Sequence, residues 1–307
     1  MYVWLITIGA LLALLAFDQW IARRKGEHEF TVGEATRWVA LYVALAVAFG
    51  VGLWVVKGHQ WGAEFFAGYL TEYSLSVDNL FVFVVIMGSF HVPRTHQHKV
   101  LLVGIALALV LRGIFIAIGA AAIERFVWVF FLFGAFLVLT AWKLATSSEE
   151  HDEPGANRAV GLLARFLPTT EEYDGERITT KVDGKRVVTP MLLVMVAIGS
   201  TDLLFALDSI PAIFGLTKEA YIVFTANAFA LMGLRQLYFL LDGLLDRLVY
   251  LSKGLAVVLG FIGVKLVLHA AHEYGADVPD IGIAVSLGVI VVTLVVTTVL
   301  SLRATRT

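Results

Sequence analysis

Nine runs of the chain, at 2–20, 36–56, 63–90, 100–121, 126–144, 190–216, 220–241, 251–271 and 281–302, are apolar almost from end to end. A hydrocarbon core of roughly 30 Å takes about 20 helical residues to cross. In lipid every backbone N–H and C=O must be satisfied within its own segment, so runs of this length become helices. The expected fold is therefore all-α, a polytopic membrane protein of about nine transmembrane helices. Composition agrees: 59% of the residues are hydrophobic, only 16% are charged, and the mean hydropathy of +0.84 is too high for a water-soluble domain. The first run has neither a basic start nor a small-residue cleavage site and reads as a retained span.

Charge sets the expected orientation. With the N-terminus outside, the loops on one side collect Arg23, Arg24, Lys25, Arg37, Arg94, Lys99, Arg158, Arg165, Arg177, Lys181, Lys185, Arg186, Arg247, Lys253, Arg303 and Arg306, and the other side only Lys57, Arg125 and Lys218. Basic loops stay cytoplasmic, so the N-terminus is expected outside and the C-terminus in the cytoplasm. A net charge of −2 and the lack of any nucleic-acid motif leave the lipid bilayer, not nucleic acid, as the surrounding partner. The absence of cysteine removes disulfides, zinc ribbons, iron–sulfur ligation and thiol catalysis.

The chain is read as one membrane domain, 1–307, interrupted by a polar cytoplasmic segment at 146–189. Within that segment Val160, Leu163, Phe166 and Leu167 recur at helical spacing, as in a helix lying along a membrane surface. "ERITTKVDGKRVVT" reads as two short strands around an Asp183-Gly184 turn.

Placing "EYSLSVDN" over "DLLFALDS" aligns Glu72 with Asp202 and Asp78 with Asp208, both 130 residues apart, each second Asp followed by Asn79 or Ser209. Farther on, Arg112 aligns with Arg235 and Lys143 with Lys265, at offsets of 123 and 122. Intramembrane charges are rare, so four recurring in order mark a duplication. Repeat 1 is 63–145 (spans 3–5) and repeat 2 is 190–271 (spans 6–8), with 2–20, 36–56 and 281–302 peripheral. Three spans per copy is odd, so the second copy is expected upside down, with a site at mid-depth between the halves.

Each intramembrane carboxylate costs roughly 2.5 to 3.5 kcal/mol, so something must offset Glu72, Asp78, Asp202 and Asp208. Against them stand the buried Arg112 and Arg235, which leaves two surplus negative charges; Lys143 and Lys265 are placed near helix ends, free to snorkel. Two surplus charges fit one divalent cation or two protons. The donors at that depth are carboxylates, the Asn79 and Asn227 amides, hydroxyls and freed carbonyls, a hard-oxygen set suited to manganese, calcium or magnesium. Residues six apart on a helix point about 120° away from each other, so convergence of all four acids requires the helix to unwind. Ser74, Ser76 and Pro211 are the residues expected to break it. A purely architectural network, with each arginine paired to an acid and the other acids protonated, is the other use of the same residues. At the far surface His269, His272 and Glu273 form a lesser polar cluster.

The segments "EYSLSVDNLFVF", "LALVLRGIFIAIG", "TDLLFALDSIPAIFG" and "ANAFALMGLRQLYFLL" together closely resemble the TerC family of integral membrane proteins, including its Alx-type branch. The resemblance runs from about residue 30 to the C-terminus. It implies Mn2+ efflux, with tellurium resistance as the historical label, in a bacterial inner (plasma) membrane, and kinship to LysE-like exporters built on inverted three-helix repeats. The motif residues it carries over are Glu72, Asp78, Asp202 and Asp208, with Asn79, Ser209 and Asn227 beside them. Many members have a Glu three residues before the first Asp of the second motif; this chain has Gly199 there, which changes the expected number of ligands.

Three functions follow as expectations. The first is export of a hard divalent cation, with Mn2+ as substrate (Ca2+ or Mg2+ as alternatives), no organic cofactor, and protons as the exchanged partner. The second is a membrane scaffold or stress-resistance assembly factor that uses the cytoplasmic segment. The third, an intramembrane aspartyl protease suggested by "GSTD" at 199–202, lacks the Gly-x-Gly-Asp pattern because of Thr201, and the expectation is that the protein is not an enzyme.

Overall fold

A computed structural model describes residues 2–25, 32–146, 167–170, 172–182, 184–241, 249–279 and 281–305. The helices are α1 (Tyr2–Lys25), α2 (Val32–Lys57), α3 (His59–Ser89), α4 (Arg94–Arg125), α5 (Trp128–Thr146), α6 (Pro190–Phe214), α7 (Ala220–Met232), α8 (Leu234–Leu241), α9 (Leu251–Glu273) and α10 (Ile283–Ala304). Between α5 and α6 stand two strands, β1 (Thr179–Val182) and β2 (Lys185–Val188). Seven helices (α2 to α6, α9 and α10) are long and apolar enough to cross a membrane.

Two of the nine expected spans do not reach that standard among the described residues. In α1 the apolar run is Val3–Leu14. The run at 220–241 is divided at Gly233 into α7 and α8, so that stretch is a broken helix. Gly233 (φ −88°, ψ −8°) ends α7, and a Cβ there would lie 3.7 Å from the Tyr42 Cβ of α2, an ordinary contact.

The breaks expected at the two acidic motifs are absent. α3 runs through Glu72 and Asp78 for 31 residues, and α6 runs through Asp202, Asp208 and Pro211 for 25. Of the two serines expected to open α3, Ser74 turns back on it, its Oγ donating to the Leu70 carbonyl (2.7 Å) as Thr71 Oγ1 does to that of Ala67 (2.8 Å), and Ser76 Oγ donates to Glu72 Oε1 (3.3 Å). That satisfies the hydroxyls in an apolar setting, and α3 continues through them. Pro211 lies in the last turn of α6, and the Gly215 N–H donates to its carbonyl (2.9 Å), so the missing donor falls where helix bonding is ending anyway.

Exposure separates the helices into inner and outer sets. More than half of the spanning window of α3, α6 and α9 is buried, against about a sixth in α2 and α10. Val55 of α2, Val110 and Ile118 on the outer side of α4, and Val292 of α10 face outward, as lipid-facing surfaces require. α2 and α3 are joined through Gly58 alone, whose φ of 101° reverses the chain and lays the two helices side by side. α5 and α9 cross antiparallel with their backbones touching: a Cβ at Gly134 would lie 2.7 Å from the Gly263 carbonyl oxygen, and one at Gly263 would lie 2.9 Å from that of Gly134. Lys265 is buried, 9% exposed and well inside α9, which corrects its expected place at a snorkelling end; Lys143 is exposed as expected.

The expected hairpin is present. β1 and β2 pair antiparallel, Thr179 with Val188 and Val182 with Lys185, around Gly184 at φ 77°. It is tied to the turn between α3 and α4: Tyr173 Oη donates to the Phe90 carbonyl (2.9 Å), and Lys99 Nζ reaches both the Glu176 carbonyl (2.9 Å) and its carboxylate (3.1 Å). Partial burial pushes the Tyr173 phenol above its ordinary value, so it remains a donor. Beside it, the Thr180 hydroxyl donates to Asp174 (2.7 Å) and holds that carboxyl below the usual range. Tyr173→Phe is expected to remove about 1 kcal/mol of this anchorage, read as faster amide hydrogen exchange over 172–188 with unchanged exchange in α9. The expected surface helix over Val160, Leu163 and Phe166 lies outside the described residues.

Candidate functional site

Arg112, in the middle of α4, is 1% exposed and is the largest fully buried side chain. Its guanidinium is held on two edges. Nε and Nη2 donate to the two oxygens of Asp202 (3.2 and 3.1 Å). Nη1 donates to Glu72 Oε1, to Ser209 Oγ (3.2 Å) and to Asn227 Oδ1 (3.2 Å). Four helices, α3, α4, α6 and α7, thus meet at one side chain.

Helical spacing explains which residues arrive. Asp202 and Ser209 are seven apart, almost two full turns, and so share one face of α6. Glu72, Ser76 and Asn79 share a face of α3 for the same reason, and all three are buried. Ser76 Oγ also donates to Glu72 Oε1 (3.3 Å). Asp208, six residues after Asp202 on an unbroken helix, faces elsewhere: it accepts from Thr140 Oγ1 of α5 (3.1 Å).

Of the residues expected at the site, the structure therefore brings together Glu72, Asp202, Ser209, Asn227 and Arg112. Asp208 stands apart on Thr140, and Asn79 is buried in α3, 8% exposed. The side chains of Asp78 and Arg235 lie outside the described residues. Among the described residues no three carboxylates or histidines come close enough to hold a metal by themselves; the donors that meet are two carboxylates, an amide and a hydroxyl. Glu72 is 0% exposed, and its Oε2 has no hydrogen-bond partner among the described residues; the same is true of Asn227 Nδ2 and Thr201 Oγ1.

Some polar contacts escape a reading of the sequence. Glu64, 8% exposed near the start of α3, accepts from Thr217 Oγ1 and from Gln60 Nε2 (2.9 Å). The Gln60–Glu64 spacing of four is a local signal, whereas Thr217 is 153 residues away. At the same end of the molecule Glu273 faces Lys218 Nζ (3.5 Å) and His269 Nε2 (3.7 Å), and the His269 ring meets Phe130 edge-on. The cluster expected around His269, His272 and Glu273 thus ties α5 to α9 and to the turn after α6; His272 Nδ1 lies 3.2 Å from the Val278 carbonyl.

Residues 57–307 match the integral membrane protein TerC family, which covers all of the helices that meet at Arg112. The chain belongs to the TerC family. It is 50% identical to the membrane protein Rv2723 of Mycobacterium tuberculosis, over 99% of this chain and 80% of that one. It is 45% identical to the thylakoid membrane protein TERC of Arabidopsis thaliana, over 86% of this chain and 70% of that one. It is 38% identical to Alx of Escherichia coli, named for membrane-bound redox modulation, over 94% of this chain and 90% of that one. No solved structure matches it.

Proposed function

We propose that this TerC-family protein exports a hard divalent cation, Mn2+ ahead of Ca2+ or Mg2+, through the junction of α3, α4, α6 and α7. The observation that carries the reading is the meeting of Glu72, Asp202, Ser209 and Asn227, drawn from both acidic motifs, around one buried point. Every acceptor there is a hard oxygen, the class preferred by manganese, calcium and magnesium. Two carboxylates against one guanidinium leave a negative surplus at mid-helix, which draws a cation in. A carrier must also release its cargo, and a mixed set with only two carboxylates binds less tightly than an all-carboxylate cage. Exchange for protons gives the emptied carboxylates a way to be neutralised in lipid. In this reading Asn79 and Asp208, the latter beside Thr140 and away from the junction, are proposed as further oxygens that the cargo meets, and Asp78 and Arg235 are proposed with them as ligand and counter-charge.

Packing supports an inverted repeat. If α3 corresponds to α6, α4 to the broken pair α7–α8, and α5 to α9, then exchanging the halves maps the α3–α7 contact onto the α6–α4 contact, and both pairs pack closely. The same exchange maps the antiparallel α5–α9 crossing onto itself. The asymmetry of basic loops gives N-out, C-in in a bacterial inner membrane.

The relatives' redox-modulator name, brought to this chain, describes an effect that must arise without thiols, since the sequence has no cysteine. Shared-proton aspartyl chemistry needs two facing acids, and the two that meet here share a guanidinium instead. A scaffold role draws on the anchored hairpin, and replacing 150–185 with a short linker separates it from transport. The direct test is Asp208→Asn and Asp78→Asn, each expressed in manganese-sensitive cells. Both are expected to reach the membrane and to lose manganese tolerance; normal tolerance in either would take that acid off the path, and normal tolerance of Glu72→Gln in the same cells would refute export through this junction.

A further inference from the structure

The arginine at the junction sits where a cargo ion would. Nη1 carries two hydrogens, yet three oxygens from three different helices, Glu72 Oε1, Ser209 Oγ and Asn227 Oδ1, converge on it within 3.2 Å. That is one acceptor more than the nitrogen has N–H groups to offer. A spherical cation has no such directional limit. The pocket is also left incomplete around the guanidinium: Glu72 Oε2, buried, finds no partner among the described residues. A buried carboxylate oxygen without a donor is costly, more so in a membrane interior.

The two edges of Arg112 have different partners. Asp202 grips the Nε/Nη2 edge through both of its oxygens, while the three-oxygen pocket closes on Nη1 alone. Rotation about the Asp202 contact withdraws Nη1 from the pocket and leaves the arginine with its own counter-ion. We infer that Arg112 Nη1 is a tethered stand-in for the transported cation: it fills the Glu72–Ser209–Asn227 pocket when no cargo is bound, and an entering divalent cation displaces it. This rests on the export reading and adds to it a competition between side chain and substrate. A strut would strengthen binding by holding the helices together; a competitor weakens it.

Isothermal titration of the purified full chain with MnCl2 separates these. Arg112→Gln is expected to bind Mn2+ at least about tenfold more tightly than the unaltered protein, a gain of the size expected for removing one competing contact. Arg112→Lys, which restores a single charge to the pocket, is expected to stay near the unaltered value, and Glu72→Gln to lose binding. If the unaltered protein binds Mn2+, Glu72→Gln does not, and Arg112→Gln binds equally or more weakly, the competition is overturned and the export reading stands. If no variant binds Mn2+, or Glu72→Gln binds like the unaltered protein, the export reading at this junction fails and the inference with it. A second measurement needs no variant. Arginine labelling of the unaltered protein by phenylglyoxal, read by mass spectrometry, is expected to rise at Arg112 when Mn2+ is added; unchanged or reduced labelling overturns displacement.

Discussion

Asp202→Ala is expected to cost about 3 to 5 kcal/mol of stability, the range for removing one partner of a buried ion pair. Arg112 is fully enclosed, and Asp202 receives two of its charge-assisted hydrogen bonds. Without that carboxylate, the guanidinium keeps Glu72, Ser209 and Asn227 on one edge and turns the other toward apolar side chains. Asp202→Asn retains an oxygen acceptor in the same place and is expected to lose less than half as much. Thermal unfolding of the detergent-solubilised protein orders the three: unaltered, then Asn, then Ala. Equal melting of Ala and unaltered protein would show that the junction contributes nothing to holding the helices.

Gly263→Val is expected to be as damaging, through shape rather than charge. Its Cβ would lie 2.9 Å from the Gly134 carbonyl oxygen and 3.0 Å from the Val138 nitrogen, both backbone atoms that move only if α5 and α9 separate. Overpacking typically costs 1 to 3 kcal/mol where side chains can yield, so about 3 kcal/mol or more is expected where backbone must move. Gly260→Ala is the control on the same helix face: its Cβ would meet the Ala141 Cβ at 3.5 Å, an ordinary contact. The yield of monodisperse protein after solubilisation should fall sharply for the first substitution and stay level for the second.

Length and hydropathy made most of the helices legible, because a bilayer imposes a minimum run that few other structures share. Glu72, Asp202 and Arg112 were legible for a related reason: charges deep in apolar runs have few places to go, and those three meet. What the sequence did not disclose was decided by tertiary contacts. Both acidic motifs lie on unbroken helices, with the Thr71 and Ser74 hydroxyls turned back on α3, and the continuity of α6 sends Asp208 to Thr140 rather than to the junction. Glycine inside an apolar run reads the same whether it ends a helix, as Gly233 does, or lets two helices touch, as Gly134 and Gly263 do. Lys265 looks free because nothing local to it reveals that its side of α9 is buried.

The order in which the partners of Arg112 are synthesised has a consequence for biogenesis. Glu72 precedes it by 40 residues, whereas Asp202, Ser209 and Asn227 follow by 90, 97 and 115. Chains assemble from the N-terminal end as they emerge. An arginine entering lipid alone costs roughly 2.5 to 3.5 kcal/mol, so the nascent first half is made tolerable by Glu72 acting as an early chaperoning counter-ion. Asp202, Ser209 and Asn227 reach the same side chain later, so the junction is complete only once both halves have been made.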